Sequence, residues 1–244
     1  MHDYTAETYG ERIADIYDSW YAAYDERSID ALAELAQGGR VLELGIGTGR
    51  IALPLRSRGV TVQGVDASAA MVAKLRAKPG GAAIPVTLSS FDDFALDERF
   101  SLAFIAFNTF FALLTQAQQI RCMETVARHL APGGRFVIEA FVPDLTRFVS
   151  GQTMRVIGVD TGEVRIDASL LDLAQQRVTS QHIVLTEGGV RLYPVTLRYA
   201  WPSELDLMAR IAGLRLEHRW ADWGQEAFGR ESTKHVSVYQ RALL

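Results

Sequence analysis

The sequence predicts an α/β fold in which a largely parallel sheet is covered by helices and an antiparallel β insertion follows late in the chain. Three observations predict it. An apolar strand at residues 41–44 runs into a glycine-rich loop and a helix, and apolar strands then alternate with helices as far as residue 142. From about residue 153 polar and apolar residues alternate between hairpin turns.

Composition sets limits on function. The 244 residues, 48% of them hydrophobic, are enough for one large domain with a small addition. The net charge of -4 and the lack of a lysine or arginine block argue against a nucleic-acid partner. Cys122 is the single cysteine, and we find neither a signal peptide nor a long apolar span, so we expect a cytoplasmic protein with no membrane partner. Histidines and carboxylates show no clustered spacing, so no metal site is predicted.

Residues 1–36 are predicted to be helical. Aromatic and aliphatic side chains recur there at intervals of three and four residues, among them Ile13, Tyr17, Trp20, Tyr21 and Tyr24. A helix that simply packs on the domain would show the same stripe.

The glycine-rich loop follows the first strand, Val41 to Leu44. Gly45, Gly47 and Gly49 alternate, which permits positive φ angles and lets a ligand approach the backbone amides. A dinucleotide fingerprint would need a glycine where Arg50 stands, and no Lys-Ser/Thr pair follows as in a P-loop. The loop is therefore predicted to hold another ligand, with a plain tight turn as the alternative.

The second strand, Val60 to Val65, ends at Asp66, about 20 residues after the loop. Nucleotide-binding α/β sheets place at this point the carboxylate that binds ribose hydroxyls. Asp66 would also serve to cap the following helix, Ala67 to Arg76, and the two roles are compatible.

Three further strands complete the parallel part. They are predicted at residues 84–88, at residues 100–107 and at residues 135–139, the last after a helix over 116–130 and the turn Pro132-Gly133-Gly134. The fourth strand should end beside the glycine loop, so Phe107 and Asn108 are predicted to contact cofactor and substrate. Asn108 would equally suit a helix cap.

Residues 38–142 resemble the class I S-adenosylmethionine (SAM) dependent methyltransferases. The resemblance rests on Glu43-x-Gly45-x-Gly47-x-Gly49, on Gly64-Val65-Asp66-Ala67-Ser68-x-x-Met71, and on the Pro-Gly-Gly turn before the fifth strand. It implies a seven-stranded Rossmann-like sheet with helices on both faces, SAM as cofactor and S-adenosylhomocysteine as product.

The resemblance also implies roles for individual residues. Glu43 would approach the methionine amino group, Asp66 would hold the ribose, and Met71 would lie against the adenine. The family's third strand usually ends in Gly-Asp, whereas Ser90 stands at that position here, so we expect Ser90 or Asp92 with the Phe91 amide to contact the adenine. The full set of predicted cofactor-binding residues is Tyr9, Tyr17, Glu43, Gly45, Gly47, Gly49, Asp66, Ala67, Met71, Ser90, Phe91, Asp92, Phe107 and Asn108.

A lid is a further implication. Many small-molecule methyltransferases carry a tyrosine-rich N-terminal helix with a Tyr-Asp pair like Tyr17-Asp18, which closes over the methyl group of SAM. Tyr9, Tyr17 and Tyr21 are the candidates, and Tyr17 is predicted to act at the catalytic centre.

The region after residue 152 supplies the insertion and the end of the sheet. Strands are predicted at residues 154–159, 164–168, 176–186 and 190–199, an insertion that resembles those of sugar N,N-dimethyltransferases and glycine N-methyltransferase-like enzymes and would roof the substrate pocket. A helix from Ser203 to Ala212, capped by Ser203, and strands at 214–220 and 235–239 follow. The predicted units are thus a lid (1–36), a SAM-binding core (37–152), the insertion (153–201) and a C-terminal completion of the sheet (202–244).

The predicted activity is methyl transfer from SAM to a small molecule, at a nitrogen or an oxygen, in secondary metabolism. His182 and Glu139 are the candidate bases, and the lack of an obvious His-Asp pair favours an amine acceptor. Arg198, Tyr199, Trp201, Trp220 and Trp223 are further pocket candidates, each with an ordinary structural alternative. A non-methylating reaction, such as a cyclisation, and a regulatory protein without cofactor remain open, and the hairpin edges would suit a homodimer.

Overall fold

The computed structural model describes Tyr4, residues 7–21 and residues 23–242. Parts of the predicted lid and of the C-terminal unit, residues 1–3, 5–6, 22 and 243–244, lie outside the described residues. The helices are α1 Thr8–Ile13, α2 Tyr17–Tyr21, α3 Glu26–Ala36, α4 Ala52–Ser57, α5 Ala69–Ala77, α6 Gln116–His129 and α7 Pro202–Ile211. The strands are β1 Val41–Leu44, β2 Val62–Asp66, β3 Val86–Leu88, β4 Phe100–Ile105, β5 Leu130–Phe141, β6 Gln152–Val159, β7 Glu163–Asp172, β8 Arg177–Thr186, β9 Gly189–Arg198, β10 Leu214–Trp220 and β11 Lys234–Arg241.

The larger sheet, as seen across the described residues, has seven strands in the order β10-β11-β5-β4-β1-β2-β3. Strands β1 to β5 run parallel, whereas β11 is antiparallel to β5 and to β10. The strand order reverses between β1 and β4, which leaves a crevice at their carboxyl ends. The predicted sheet is confirmed, and its crevice is where the glycine loop lies.

Helices cover both faces of this sheet, as predicted. On one face α6 and α7 pack against Leu42, Leu44 and Ile138. On the other, α3, α4 and α5 pack against Val41 and Phe104. Every residue of β1 is buried, which is expected of a central parallel strand, so the carboxylate of Glu43 is an exception within an apolar interior.

The smaller sheet is an antiparallel meander in the order β6-β7-β8-β9. Its register pairs Asp167 with His182 and His182 with Tyr193, so these three side chains share one face. Tight turns join β6 to β7 and β8 to β9, with the Asp160 amide 2.8 Å from the Glu163 carbonyl in the first. The predicted insertion is therefore present.

The N-terminal segment contains three helices, and α3 begins where Asp25 caps it by accepting a hydrogen bond from the Arg27 amide at 3.0 Å. One local prediction was wrong. Ser203 does not cap α7. Trp201 holds the N-cap position and Pro202 the first helical position, where its missing N–H costs nothing.

The burial of His235 on β11 predicts how the stability of the fold changes at acidic pH. Its side chain is fully buried, and burial together with the nearby Arg219 lowers its pKa to about 4, with Asp206 opposing. Between about pH 6.5 and pH 4 the unfolded chain binds a proton at this side chain that the folded chain does not. The contribution of the neutral His235 to the free energy of unfolding is therefore fully present above pH 6.5. It is lost as the pH falls through this window.

We expect His235→Gln to make the free energy of unfolding less dependent on pH between about pH 6.5 and pH 4. Lowering the pH from 7.5 to 5 should cost the wild type about 2 kcal/mol more of its free energy of unfolding than it costs the variant. Urea unfolding at the two pH values measures this difference. Parallel pH dependences would contradict the prediction.

Candidate active site

A cavity of about 400 Å³ lies at the carboxyl ends of β1, β2 and β4. The N-terminal helices and the inner face of the smaller sheet enclose its other sides. The predicted residues that line it are Tyr9, Tyr17, Glu43, Gly45, Gly47, Asp66, Ala67, Met71, Phe91, Phe107, Asn108 and His182. Gly49, Ser90, Asp92 and Glu139 are not among its lining residues.

The glycine loop approaches the cavity with left-handed backbone. Gly45 has a φ of 69°, and a Cβ there would lie 2.5 Å from the Thr109 side chain. Gly49 differs in role: its φ is 78°, and a Cβ would lie 2.3 Å from Leu75 on α5. The third glycine therefore permits close packing of the loop against α5, which explains its absence from the cavity wall.

Asp66 fixes the loop and faces the cavity. Its carboxylate accepts hydrogen bonds from the amides of Gly47 at 2.7 Å and Ser68 at 2.8 Å. Burial raises its pKa, and the backbone bonds oppose that shift. Ser68 rather than Asp66 caps α5, since the Ser68 hydroxyl accepts from the Met71 amide at 3.2 Å. Each carboxylate oxygen of Asp66 thus keeps acceptor capacity for a ligand hydroxyl.

Glu43 is an incompletely paired acid in the cavity wall. Its side chain is buried, and its Oε2 atom has no hydrogen-bond partner in the described part of the chain. Burial raises its pKa well above the usual range, opposed by Arg50 and assisted by Asp66. A buried carboxylate oxygen without a donor is costly unless a ligand supplies one. A cationic amine is the group that fits.

The three residues predicted to contact the adenine differ in whether they line the cavity. Ser90 bonds to the carboxylate of Asp92, which also accepts from Arg121 of α6 at 2.6 Å. The Asp92 side chain is thereby committed to α6, and neither Ser90 nor Asp92 lines the cavity. Their contact with the adenine stays a prediction that this geometry does not favour. Phe91 does line it. The sequence could not reveal Arg121 as a competing partner because it lies 29 residues further along the chain.

The N-terminal helices are fastened to the cofactor loops by polar contacts. Asp18 accepts from the Thr48 hydroxyl at 2.6 Å and pairs with Lys78 at 2.7 Å. Glu11 accepts from the Ser68 hydroxyl at 2.8 Å. These contacts carry the rings of Tyr9, Tyr17 and Tyr21 over the cavity.

The tyrosines form a close aromatic group. The rings of Tyr17 and Tyr21 lie 5.1 Å apart, and Tyr21 meets Phe107 edge-on at 5.3 Å. Burial raises the pKa of Tyr17 to about 12, with Arg50 opposing, so this hydroxyl keeps its proton at neutral pH. The group therefore offers apolar faces and hydroxyl donors, and it does not offer a base.

The opposite wall contains a histidine and an aspartate from neighbouring strands. His182 Nδ1 lies 3.9 Å from Asp167 Oδ1, and this nitrogen is buried without a hydrogen-bond partner among the described residues. Burial lowers the pKa of His182, with Asp167 opposing, so the ring is neutral near pH 7. The Ser169 hydroxyl donates to Asp167 at 2.9 Å and lies 2.6 Å from the Ser180 hydroxyl. The sequence indicated no His-Asp pair, and the structure corrects that.

Glu139, the other predicted base, forms a hydrogen bond with the backbone. Its carboxylate accepts from the Phe107 amide at 2.9 Å. The Asn108 side chain accepts from the Phe141 amide at 2.7 Å, and Phe107 and Asn108 both have positive φ. Glu139 therefore holds the bend after β4 rather than facing the cavity.

The remaining pocket candidates are structural. Arg198 is buried and pairs with Glu204 at 2.7 Å, and it also donates to Gln176 at 3.0 Å. Tyr199, Trp201, Trp220 and Trp223 lie outside the lining of this cavity as well.

Sequence reasoning missed four charged lining residues: Arg50, Arg147, Arg155 and Asp167. Arg50 directly follows Gly49 of the glycine loop, and this position in the sequence could have indicated that it lines the cavity. The other three depend on where the insertion folds back, and no local pattern marks them.

No helix within the described residues is long and apolar enough to cross a membrane. No group of three or more His, Cys, Asp or Glu residues in the described part of the chain is arranged so that it could hold a metal ion.

Known proteins resemble this chain in sequence and in fold. A family model described as a methyltransferase domain matches residues 41–134. The CcbJ methyltransferase from Streptomyces caelestis, whose structure has been solved, shares 44% sequence identity with this chain. The two structures superpose with a TM-score of 0.91 over 98% of this chain and 100% of the CcbJ chain.

Two curated relatives also match over most of the chain. The cypemycin N-terminal methyltransferase of a Streptomyces species is 29% identical over 208 residues, 84% of each chain. The dTDP-4-amino-2,3,4,6-tetradeoxy-D-glucose N,N-dimethyltransferase of Saccharopolyspora spinosa is 29% identical over 231 residues, 88% of this chain and 90% of its own.

Proposed function

Because this chain belongs to the class I SAM-dependent methyltransferases, we propose that it methylates an amine nitrogen of a small molecule of secondary metabolism. Of the two curated relatives described above, one is by name an N-terminal methyltransferase and the other an N,N-dimethyltransferase. The observation that carries proton removal from the acceptor is the neutral His182 beside Asp167 in the cavity wall. Such a pair would serve a hydroxyl as well as an amine, so the choice of nitrogen rests on the relatives. Membership of this family favours methyl transfer over the non-methylating alternative.

The cofactor half of the cavity is proposed to hold SAM through residues already identified by sequence. The unpaired Oε2 of Glu43 suits an ammonium group, and the spare lone pairs of Asp66 suit ribose hydroxyls. Met71 and Phe91 supply apolar wall, and the glycine loop supplies backbone. When bound, SAM supplies a methyl group on a sulfonium, which an attacking amine takes up to leave S-adenosylhomocysteine.

The residues of the chain then have three tasks. The tyrosines exclude water from the cavity, which favours a reaction that disperses charge. The close fit of the walls aligns the reactants, a contribution that accounts for much of the rate in such displacements. His182 accepts the proton that the amine must lose, and Asp167 stabilises the imidazolium that results. Asp167 is thus a positioning residue, held by Ser169.

An amino sugar is a suitable probe because it offers an amine and several hydroxyls on one frame. We expect glucosamine incubated with SAM and the enzyme to gain mass at its nitrogen, as read from fragmentation of the product. A methyl ether as the main product would contradict the amine proposal. A mass change without methyl gain would overturn methyl transfer itself.

Replacing Asp66 tests the cofactor assignment separately. Asp66→Ala should weaken binding of S-adenosylhomocysteine by about tenfold to a hundredfold, because charge-assisted bonds to two hydroxyls contribute about 1.5–3 kcal/mol. Calorimetric titration measures the change. Asp97→Ala removes an exposed carboxylate that does not line the cavity and should leave binding unchanged. Equal affinity of the two variants would count against the role of Asp66.

We also propose a cytoplasmic location and a homodimer. The first is supported by Cys122, which is buried and unbridged. The second is supported by apolar side chains exposed on the insertion, such as Met154, Val156 and Leu170. A monomeric mass by light scattering would contradict the dimer.

A further inference from the structure

We propose that the acceptor carries an anionic group, a carboxylate or a phosphate, which binds Arg147 with Arg155 beside it. This inference rests on the proposed function, since it concerns the acceptor of the same site. It follows from four features of the cavity wall that belongs to the insertion and to the segment leading into it.

The first feature is that Arg147 has no partner of its own. It lies between β5 and β6 and lines the cavity, yet it forms no hydrogen bond or ion pair with any residue that the structure describes. Its guanidinium lies 4.9 Å from the ring centre of Phe148, which holds the planar group by stacking. Its donors are therefore free and oriented, an arrangement suited to binding a carboxylate or phosphate in bidentate fashion.

The second feature is a neighbouring cation. Arg155 on β6 also lines the cavity. Burial lowers the pKa of Arg147, assisted by Arg155 and opposed by Asp167 and Asp144. Arg155 is itself partly neutralised, because it pairs with Asp167 at 3.3 Å. His182 beside them is neutral, so this wall of the main cavity presents two arginines and one aspartate. Asp144 also acts on Arg147, but it lines the adjoining cavity and not the main one.

The third feature is that the cofactor half already has a cation. Arg50 donates to the Ala23 carbonyl at 3.1 Å, stacks over Phe107 at 4.4 Å, and is the positive group whose field reaches Glu43. A carboxylate on the cofactor has Arg50 within its own half of the cavity. Arg147 is thereby left for the acceptor.

The fourth feature is space. A second cavity of about 270 Å³ adjoins the first, and the two share Phe141, Arg147 and Val178 as lining residues. Its other walls include apolar side chains such as Leu145 and Phe148, with Asp144, Tyr199 and Thr233 as the polar members. An acceptor whose anion is bound at Arg147 therefore has an apolar space next to that anion.

Three small amines that differ in one group test the inference. Glycine, aminomethylphosphonate and glycinamide carry a carboxylate, a phosphonate and a neutral amide next to the same amine. Each is titrated into the complex of the protein with S-adenosylhomocysteine. We expect at least one anionic probe to bind about tenfold tighter than glycinamide, as one charge-assisted contact implies. Comparison of the two anions identifies the preferred one.

Two variants locate the effect. Arg147→Gln should abolish the preference for the anionic probe while affinity for S-adenosylhomocysteine stays the same. Arg191→Gln makes the same charge change on β9 outside the main cavity and should keep the preference.

The inference is overturned by any of three results. The first is equal or absent binding of the three probes to the wild type. The second is an unchanged preference for the anionic probe in Arg147→Gln. The third is a loss of affinity for S-adenosylhomocysteine in that variant, which would assign Arg147 to the cofactor. The preference for an anion without N-methylation of any amine would instead overturn the proposed function and leave the anion site intact.

Discussion

Replacing His182 with asparagine should lower kcat about a hundredfold and leave the affinity for S-adenosylhomocysteine unchanged. The amide keeps a polar group on β8 but cannot take up a proton, and a positioned base contributes roughly a hundredfold or more. Because burial lowers the pKa of His182, wild-type activity should persist below pH 6.5 and then decline as the ring is protonated. The variant should lack this acid limb, as a pH profile of kcat/KM measures.

Two further variants delimit the role of His182. Asp167→Asn removes the carboxylate that favours the imidazolium, so it should lower kcat and shift the acid limb to still lower pH. His218→Asn changes an exposed histidine on β10 and should have wild-type activity. An unchanged pH profile in His182→Asn would exclude His182 as the base.

Replacing Glu43 with glutamine should weaken the binding of SAM by about a hundredfold or more. A buried cation that loses its counter-ion costs about 3 kcal/mol or above. Burial raises the pKa of Glu43 well above the usual range, so the free protein holds a proton there up to a higher pH than an exposed glutamate does. Binding an ammonium favours the ionised form, and the proton is released. Affinity for SAM should therefore rise with pH in the wild type.

Calorimetry in two buffers of different ionisation enthalpy measures that proton release. Glu43→Gln should show none. Its resistance to urea should be equal to or above that of the wild type, because an incompletely paired buried acid is costly to the free protein. A loss of affinity with a parallel loss of folding stability would point to a structural role instead.

The cofactor half of the molecule was predictable because its signals are local. The strand, glycine loop and helix around Gly45 follow each other within a few residues, and Asp66 lies at the end of the next strand. Each feature is set by backbone requirements of consecutive residues. Gly49, Ser90 and Asp92 do not line the cavity, and the contacts of Gly49 and Asp92 depend on a partner from another element.

The acceptor half was less predictable because its geometry is set by register. Asp167 and His182 meet only because the turns of the meander align β7 with β8, and neither strand alone reveals the pair. Glu139 looked like an equal candidate until its bond to the Phe107 amide was visible. Arg147 had no signal at all, since an arginine between two strands is ordinary in sequence.

The two sheets also bear on how such an enzyme diversifies. The parallel sheet supplies Glu43 and Asp66, whereas the meander supplies Asp167 and His182, and only the segments 142–151 and 199–201 connect the meander to the rest. Under the roles proposed for these residues, we expect substitutions in the meander to alter the acceptor while the SAM-binding residues stay in place. One contiguous block of the gene encodes the meander residues that are proposed to face the acceptor.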